Sequence, residues 1–244
     1  MGKKYSLKGL IEFYSDLRKF KSTLSNSTDF PFGKNKPIMN EKKAGSGIMR
    51  GHYFHQDLLI ARRIFQNNPQ KHVDIGSRTD GFVTHVASYR KIEVLDIRPF
   101  SNSIPNIKFV QADCMQLPAE LSNYTDSISS LHAIEHFGLG RYGDPIDSNG
   151  HLKGLESINK ILKIGGKFYF SIPIGPQRIE FNAHRVFSLS YLLNIFHTSY
   201  KIDHFSFVDD KGDLHENVEL IENSIANNFN CIYGCGIFEL TKIQ

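Results

Sequence analysis

Cysteine is scarce: the 244 residues hold three, Cys114, Cys231 and Cys235. An odd number without C-x-x-C spacing excludes a disulfide framework and a zinc knuckle, and points to a reducing, cytoplasmic setting. Long apolar runs are missing as well, and no stretch reaches the length of a membrane span. The opening MGKKYSLKGLIEFYSDLRKF has neither the continuous apolar core nor the small-residue cleavage site of a signal peptide. Charge of one sign does not accumulate. The formal net charge is +4 with no long basic run, so nucleic acid is not the expected partner, and Lys3-Lys4 and Lys42-Lys43 read as solvated faces.

What is present is ordinary for a globular chain, with 40% hydrophobic and 22% charged residues. The length suits one α/β domain with a full core and a modest extension. That extension occupies residues 1–50. In it Leu7, Leu10, Ile11, Tyr14 and Leu17 share one face of an amphipathic helix, expected to pack on its own domain or on a second subunit of a homo-oligomer. Residues 22–46, rich in Ser, Asn, Pro, Gly and Lys, read as an irregular connector. The folded domain is expected over residues 51–244.

The stretch that organises this domain is KHVDIGSRTDGF, from Lys71 to Phe82. His72–Ile75 is short and apolar enough for a buried parallel strand; Gly76 breaks it, and Phe82–Ala87 reads as the start of a helix. A strand, a Gly-containing turn and a helix start together form a nucleotide-binding corner. Lys91–Asp96 is a second apolar strand, ending in a carboxylate placed to accept hydrogen bonds from a ribose diol. Arg78 and Asp80 stand where a dinucleotide turn needs small residues, and Asp80 would repel a pyrophosphate. A sulfonium cofactor with an amino-acid tail suits the charges better: Asp74 could face its ammonium group and Arg78 its carboxylate.

Asp74–Gly81 resembles motif I of class I S-adenosylmethionine-dependent methyltransferases, departing from D-x-G-x-G-x-G at Arg78 and Asp80. Three further stretches follow in the order of that superfamily. Residues 105–114 end in Asp113-Cys114, residues 126–136 end in Glu135-His136, and Leu162–Phe168 carries L-K-x-G-G-K. The segments DIGSRTDG and EHFGLGRYGDP are similar to a bacterial and nematode family within the superfamily, catalogued as a domain of unknown function. Its members often accompany glycan-assembly enzymes.

The resemblance implies an α/β, Rossmann-like fold. Its seven-stranded, mostly parallel sheet would run in the order 3-2-1-4-5-7-6, with helices on both faces. It implies S-adenosylmethionine as cofactor, held by Tyr53, Asp74, Gly76, Ser77, Arg78, Gly81, Asp96, Asp113, Cys114 and His132. Asp113 would accept from the adenine amino group, and His52 and Tyr53 are candidate lid residues. The implied reaction is methylation of a hydroxyl on a small-molecule acceptor such as a sugar or glycan precursor. A hydroxyl needs its proton removed, and imidazole titrates near neutral pH, so His136 and His184 are the candidate bases, with Glu135 beside them. Arg141, Tyr142, Asp144 and Arg185 are expected to orient the acceptor.

No metal-ligand set is assigned. The alternative is His132-x-x-Glu135-His136 with His184, which resembles metal-assisted methyltransferases acting on RNA ends. Two other functions compete: an NAD-dependent oxidoreductase of Rossmann topology, and a non-catalytic cofactor-binding module.

Overall fold

The computed structural model describes residues 6–24, 30–39, 41–42 and 44–244. The chain forms two units, Met1–Ile48 and Met49–Gln244. In the first, helix α1 (Leu7–Ser22) is capped by the Ser6 hydroxyl, which accepts from Gly9 N. None of its residues is buried, and Leu7, Ile11 and Tyr14 are exposed. Among the described residues, no helix is long and apolar enough to cross a membrane.

The second unit is built on one large sheet. Helix α2 (His52–Asn67) leads into β1 (His72–Ile75), buried at all four positions, as a central parallel strand covered on both faces must be. A wide π-type turn at Thr79–Val83 then enters the short helix α3 (Thr84–Ala87). The helical path thus begins before Phe82, and Gly81 sits at its kink. Strands β2 (Ile92–Asp96), β3 (Ile107–Gln111) and β4 (Thr125–Leu131) follow. Helix α4 (Gly150–Ile161) returns the chain to β5 (Leu162–Ile174). A two-stranded hairpin, β6 (Arg178–Glu180) and β7 (His184–Val186), precedes α5 (Leu189–Phe196), whose Ser188 cap accepts from Tyr191 N. The chain ends through β8 (Tyr200–Val208), β9 (Leu214–His215), the short α6 (Glu222–Ala226) and β10 (Gly234–Lys242).

The sheet order is β3-β2-β1-β4-β5-β10-β8-β9. The first five strands are parallel, and β10 runs antiparallel between β5 and β8. This is the expected 3-2-1-4-5-7-6 arrangement of a Rossmann-like methyltransferase fold, with one addition. Strand β9 pairs with β8 by two residues, Phe207↔His215 and Val208↔Leu214, too few for an alternating pattern to be read from sequence.

Alternation divides the core. Along β5, Phe168, Phe170, Ile172 and Ile174 join α4 and α5 on one face, while Tyr169 joins α2 and α3 on the other. Helices on both faces leave the carboxyl ends of β1–β4 uncovered, which is where ligands sit in open sheets of this kind.

Candidate functional site

A cavity of about 1150 Å³ opens over those strand ends. Strands β1–β3 supply one end of it. Gly76 lies at φ +70, and a Cβ there would stand 2.9 Å from the Ala133 Cβ, so both backbone conformation and space require glycine. Asp74 does not reach the cavity. It is fully buried, accepting from Ser129 Oγ at 2.5 Å and from Ser77 Oγ and N at 2.6 and 3.1 Å. Burial raises its carboxyl to about 7, against the hydrogen bonds that pull it down. Asp74 and Ser77, expected at the cofactor, instead fix the turn from beneath.

Gly81 likewise lies outside the lining; a Cβ there would meet Asp57 Oδ2 at 2.7 Å. Arg78 lines the cavity but is already paired with Asp80, through Nε–Oδ1 at 3.0 Å and Nη2–Oδ2 at 2.8 Å, and stands over the Tyr53 ring. The two residues that break the glycine pattern thus neutralise each other.

Asp96 and Asp113 both line the cavity. Asp96 accepts from Arg98 three times: from its backbone N and Nε at 2.8 and 3.0 Å, and from Nη2 at 2.5 Å. Asp113 Oδ1 accepts from Met115 N at 2.9 Å. Cys114 is buried, and desolvation pushes its thiol far up, so it is a lining group and not a nucleophile.

The other end is the turn after β4. His132 occupies the left-handed region at φ +49 and stacks on His52, with centroids 5.2 Å apart and planes 4° from parallel. Tyr53, tilted by 41°, lies 5.3 Å away. The His132 Nδ1–H donates to Glu135 Oε1 at 2.7 Å, while His132 Nε2 and Glu135 Oε2 are buried without partners. Burial disfavours an ionised Glu135, but His132 outweighs it and holds the carboxyl below the ordinary range. Burial also pushes His52 down to about 4.

His136 Nδ1 lies 2.7 Å from the Ala183 carbonyl. A carbonyl only accepts, so Nδ1 carries the proton and Nε2 the lone pair. Burial lowers the His136 pKa, more than Glu135 beside it raises it, so the ring is a neutral base. Arg141 Nη1 donates to the same carbonyl at 2.9 Å. His184 also lines the cavity, with Nε2 3.2 Å from Glu180 Oε2 and its ring 5.1 Å from Tyr233.

The GLGRYGD loop is closed by Asp144, which accepts from Gly138 N at 2.8 Å and Gly140 N at 3.1 Å through Oδ2, and from Tyr142 N at 3.1 Å through Oδ1. Three of its glycines have positive φ, and a Cβ on Gly138 would lie 2.0 Å from Asp147 O. Asp144 is on the cavity wall, but its acceptors are spent on its own loop. Arg185, expected to orient the acceptor, is buried outside the lining and donates to the carbonyls of Phe137, Ser148 and Glu135 at 2.6, 3.2 and 3.4 Å. It braces the loop. Arg141 and Tyr142 do line the cavity, and Tyr142 lies between the guanidinium groups of Arg98 and Arg141, 4.5 and 5.2 Å from its ring.

Sequence reasoning missed Arg98, Tyr233 and the Asp209–Gly212 segment of the lining. Only Arg98 left a signal, a cation two residues beyond the strand-end acid.

Residues 81–231 match a family described as "Caenorhabditis protein of unknown function, DUF268". The chain belongs to the DUF268 family. No curated protein matches the sequence. Among solved structures, this DUF268 chain is similar to a 1,6-didemethyltoxoflavin-N1-methyltransferase from Burkholderia thailandensis, solved with bound 1,6-didemethyltoxoflavin and S-adenosylhomocysteine. That match has 11% identity and TM-score 0.55, and covers 96% of this chain and 86% of that one. It is also similar to the N-methyltransferase NodS from Bradyrhizobium japonicum WM9, in complex with S-adenosylhomocysteine, at 12% identity and TM-score 0.51 over 80% and 89% of the two chains. The [4+2]-cyclase SpnF matches as well, at 13% identity and TM-score 0.53 over 78% and 81%. Identities this low show a shared fold, and the cyclase marks that the fold alone does not dictate methyl transfer.

Proposed function

We propose that this DUF268 protein is an S-adenosylmethionine-dependent methyltransferase acting on a hydroxyl of a small-molecule acceptor, with a sugar or glycan precursor as the favoured class. One observation carries the reading. A single cavity joins strand-end carboxylates at Asp96 and Asp113 to a neutral His136 whose Nε2 makes no hydrogen bond and lies 3.8 Å from Glu135 Oε1, with room for a nucleoside and a second molecule.

The lining suits the adenosine part of such a cofactor. Asp96 at the end of β2 is the diol acceptor, Asp113 keeps Oδ2 for an amino group, and Gly76 lets the backbone approach. Asp74 is too deep to meet the ammonium group, so the tail would lie against the Gly76 backbone, Tyr53 and His132. When bound, the cofactor supplies an electrophilic methyl group and its own leaving group. The chain then has to hold the acceptor in line, worth about 7–11 kcal/mol in well-oriented reactions. His136 Nε2 takes the acceptor's proton, while Ala183 O fixes the tautomer. Arg141 and Tyr142 orient the acceptor, and His184 faces it from the hairpin.

Calorimetric titration with S-adenosylhomocysteine and with NADH, followed by transfer of labelled methyl groups to a panel of sugars and hydroxylated small molecules, tests the reading. Binding of the former and not the latter, with labelled product, is expected. Affinity for NADH alone would return the oxidoreductase, and cofactor affinity with no labelled product across the panel favours a binding module.

A further inference from the structure

We propose that His52, His132 and Cys235 bind one divalent ion of the zinc class at the floor of the cavity, leaving one coordination position open to the space above. The three residues come from elements far apart in the chain: the start of α2, the turn after β4 and the second position of β10. Each offers a ligand atom, and these atoms all lie within 4.8 Å of one another.

The orientation of His132, set from behind by Glu135, is the second observation. Its Nε2 is buried and has no neighbour to pair with except the Cys235 thiol, and the residue is only 8% exposed. Its other nitrogen donates to the Glu135 carboxylate at 2.7 Å. A carboxylate behind a histidine fixes the ring and makes the outward nitrogen a stronger donor, which is the usual arrangement behind a metal-bound imidazole. Leaving such a nitrogen dry and unpaired is costly unless something else occupies it.

Cys235 is fully buried, and its sulfur faces the His132 ring, with long contacts of 3.7 Å to Gln56 Oε1 and 3.8 Å to Gly236 O. Two imidazoles and a thiol select zinc and its neighbours, and select against magnesium or calcium, which require oxygen.

Zinc–nitrogen and zinc–sulfur bonds of about 2.0–2.3 Å in tetrahedral geometry separate ligand atoms by roughly 3.3–3.7 Å. The side chains therefore need to close by at most about 1.5 Å. His52 and His132 line the cavity and Cys235 lies behind it, so three protein ligands sit below and the fourth position faces the ligand space, as in catalytic zinc sites. Glu135, His136 and His184 are not in this group. On the methyl-transfer reading, and resting on it, the open position would receive the acceptor's hydroxyl and lower its pKa.

The full chain, dialysed against a chelator, would be titrated with zinc in competition with a chromophoric ligand, and separately loaded with cobalt. One equivalent of zinc per chain is expected, with a thiolate-to-cobalt charge-transfer band in the near ultraviolet. Cys235→Ser should abolish the band, and Glu135→Gln should weaken zinc about 10–100-fold. A cobalt spectrum without the thiolate band in the unsubstituted chain overturns the site whatever the variants do, as does substoichiometric zinc. S-adenosylhomocysteine affinity measured on the zinc-free chain separates the two ideas. Cofactor binding without metal binding defeats this site alone, and metal binding without cofactor affinity defeats the methyl-transfer reading alone.

Discussion

The two ends of the cavity treat polarity in opposite ways. At the β1–β2 end every acid is answered from within: Asp74 by Ser77 and Ser129, Asp80 by Arg78, Asp96 by Arg98. At the β4 end polar atoms are buried and left over, with His132 Nε2 and Glu135 Oε2 lacking partners and His136 Nε2 free to act. Buried polar groups are normally satisfied, so a cluster of exceptions marks where the protein expects company. The first end holds its own shape; the second leaves more of its polar atoms open.

The sharpest way to break this contrast is His136→Ala. Loss of a positioned base should cut labelled-methyl transfer about 10²–10⁴-fold while S-adenosylhomocysteine affinity stays within about threefold. Because burial lowers the His136 pKa, the rate in the unsubstituted protein should rise with pH to a plateau, with its midpoint below that of an ordinary imidazole. Equal turnover in the variant removes the base from the mechanism.

A smaller effect is expected at Arg185, which separates bracing from acceptor contact. Arg185→Leu strands the Phe137 and Ser148 carbonyls and should lower unfolding free energy by about 2–4 kcal/mol in denaturant titrations. An unchanged midpoint with an altered acceptor KM would restore the residue to the acceptor site.

The last effect, spread over several pH units, concerns Asp74. An aspartate in the unfolded chain titrates near about 3.9, whereas burial raises folded Asp74 to about 7. The folded state holds the extra proton between those values. This group's contribution to stability is therefore complete below about 4 and is lost as pH rises through about 7. Asp74→Asn removes that dependence, so the stability of the unsubstituted protein relative to the variant should fall by about 1.4 kcal/mol per pH unit across the window. Parallel stability curves would show that Asp74 is not held protonated by its surroundings.

The same contrast explains what could be read from sequence. The strand–Gly76–helix corner and the acids at Asp96 and Asp113 are local features, each specified within a few neighbouring residues, and the strand order comes with the family resemblance that they carry. What failed to show was depth and distance. A D-x-G motif gives no sign that Asp74 turns inward to two serines, one of them on the next strand. Arg185 looks like a cavity residue beside His184 because adjacent residues on a strand differ only in the face they present. The Asp144 motif was visible, but its three N–H bonds are known only once the glycine loop has closed. Cys235 lacks any spacing signature with His52 and His132, because three separate elements converge to bring them together.

Arg98 spans the divide. Its guanidinium is held by the Asp96 carboxylate and lies 4.5 Å over the Tyr142 ring, so one side chain links the two ends of the cavity. A ribose that engages both Asp96 oxygens must loosen that grip, and the freed cation then lies beside Tyr142, adding positive charge where the second substrate arrives. On the methyl-transfer reading, filling one half of the chamber would in this way prepare the other for an electron-rich guest, an order of loading written into a single arginine.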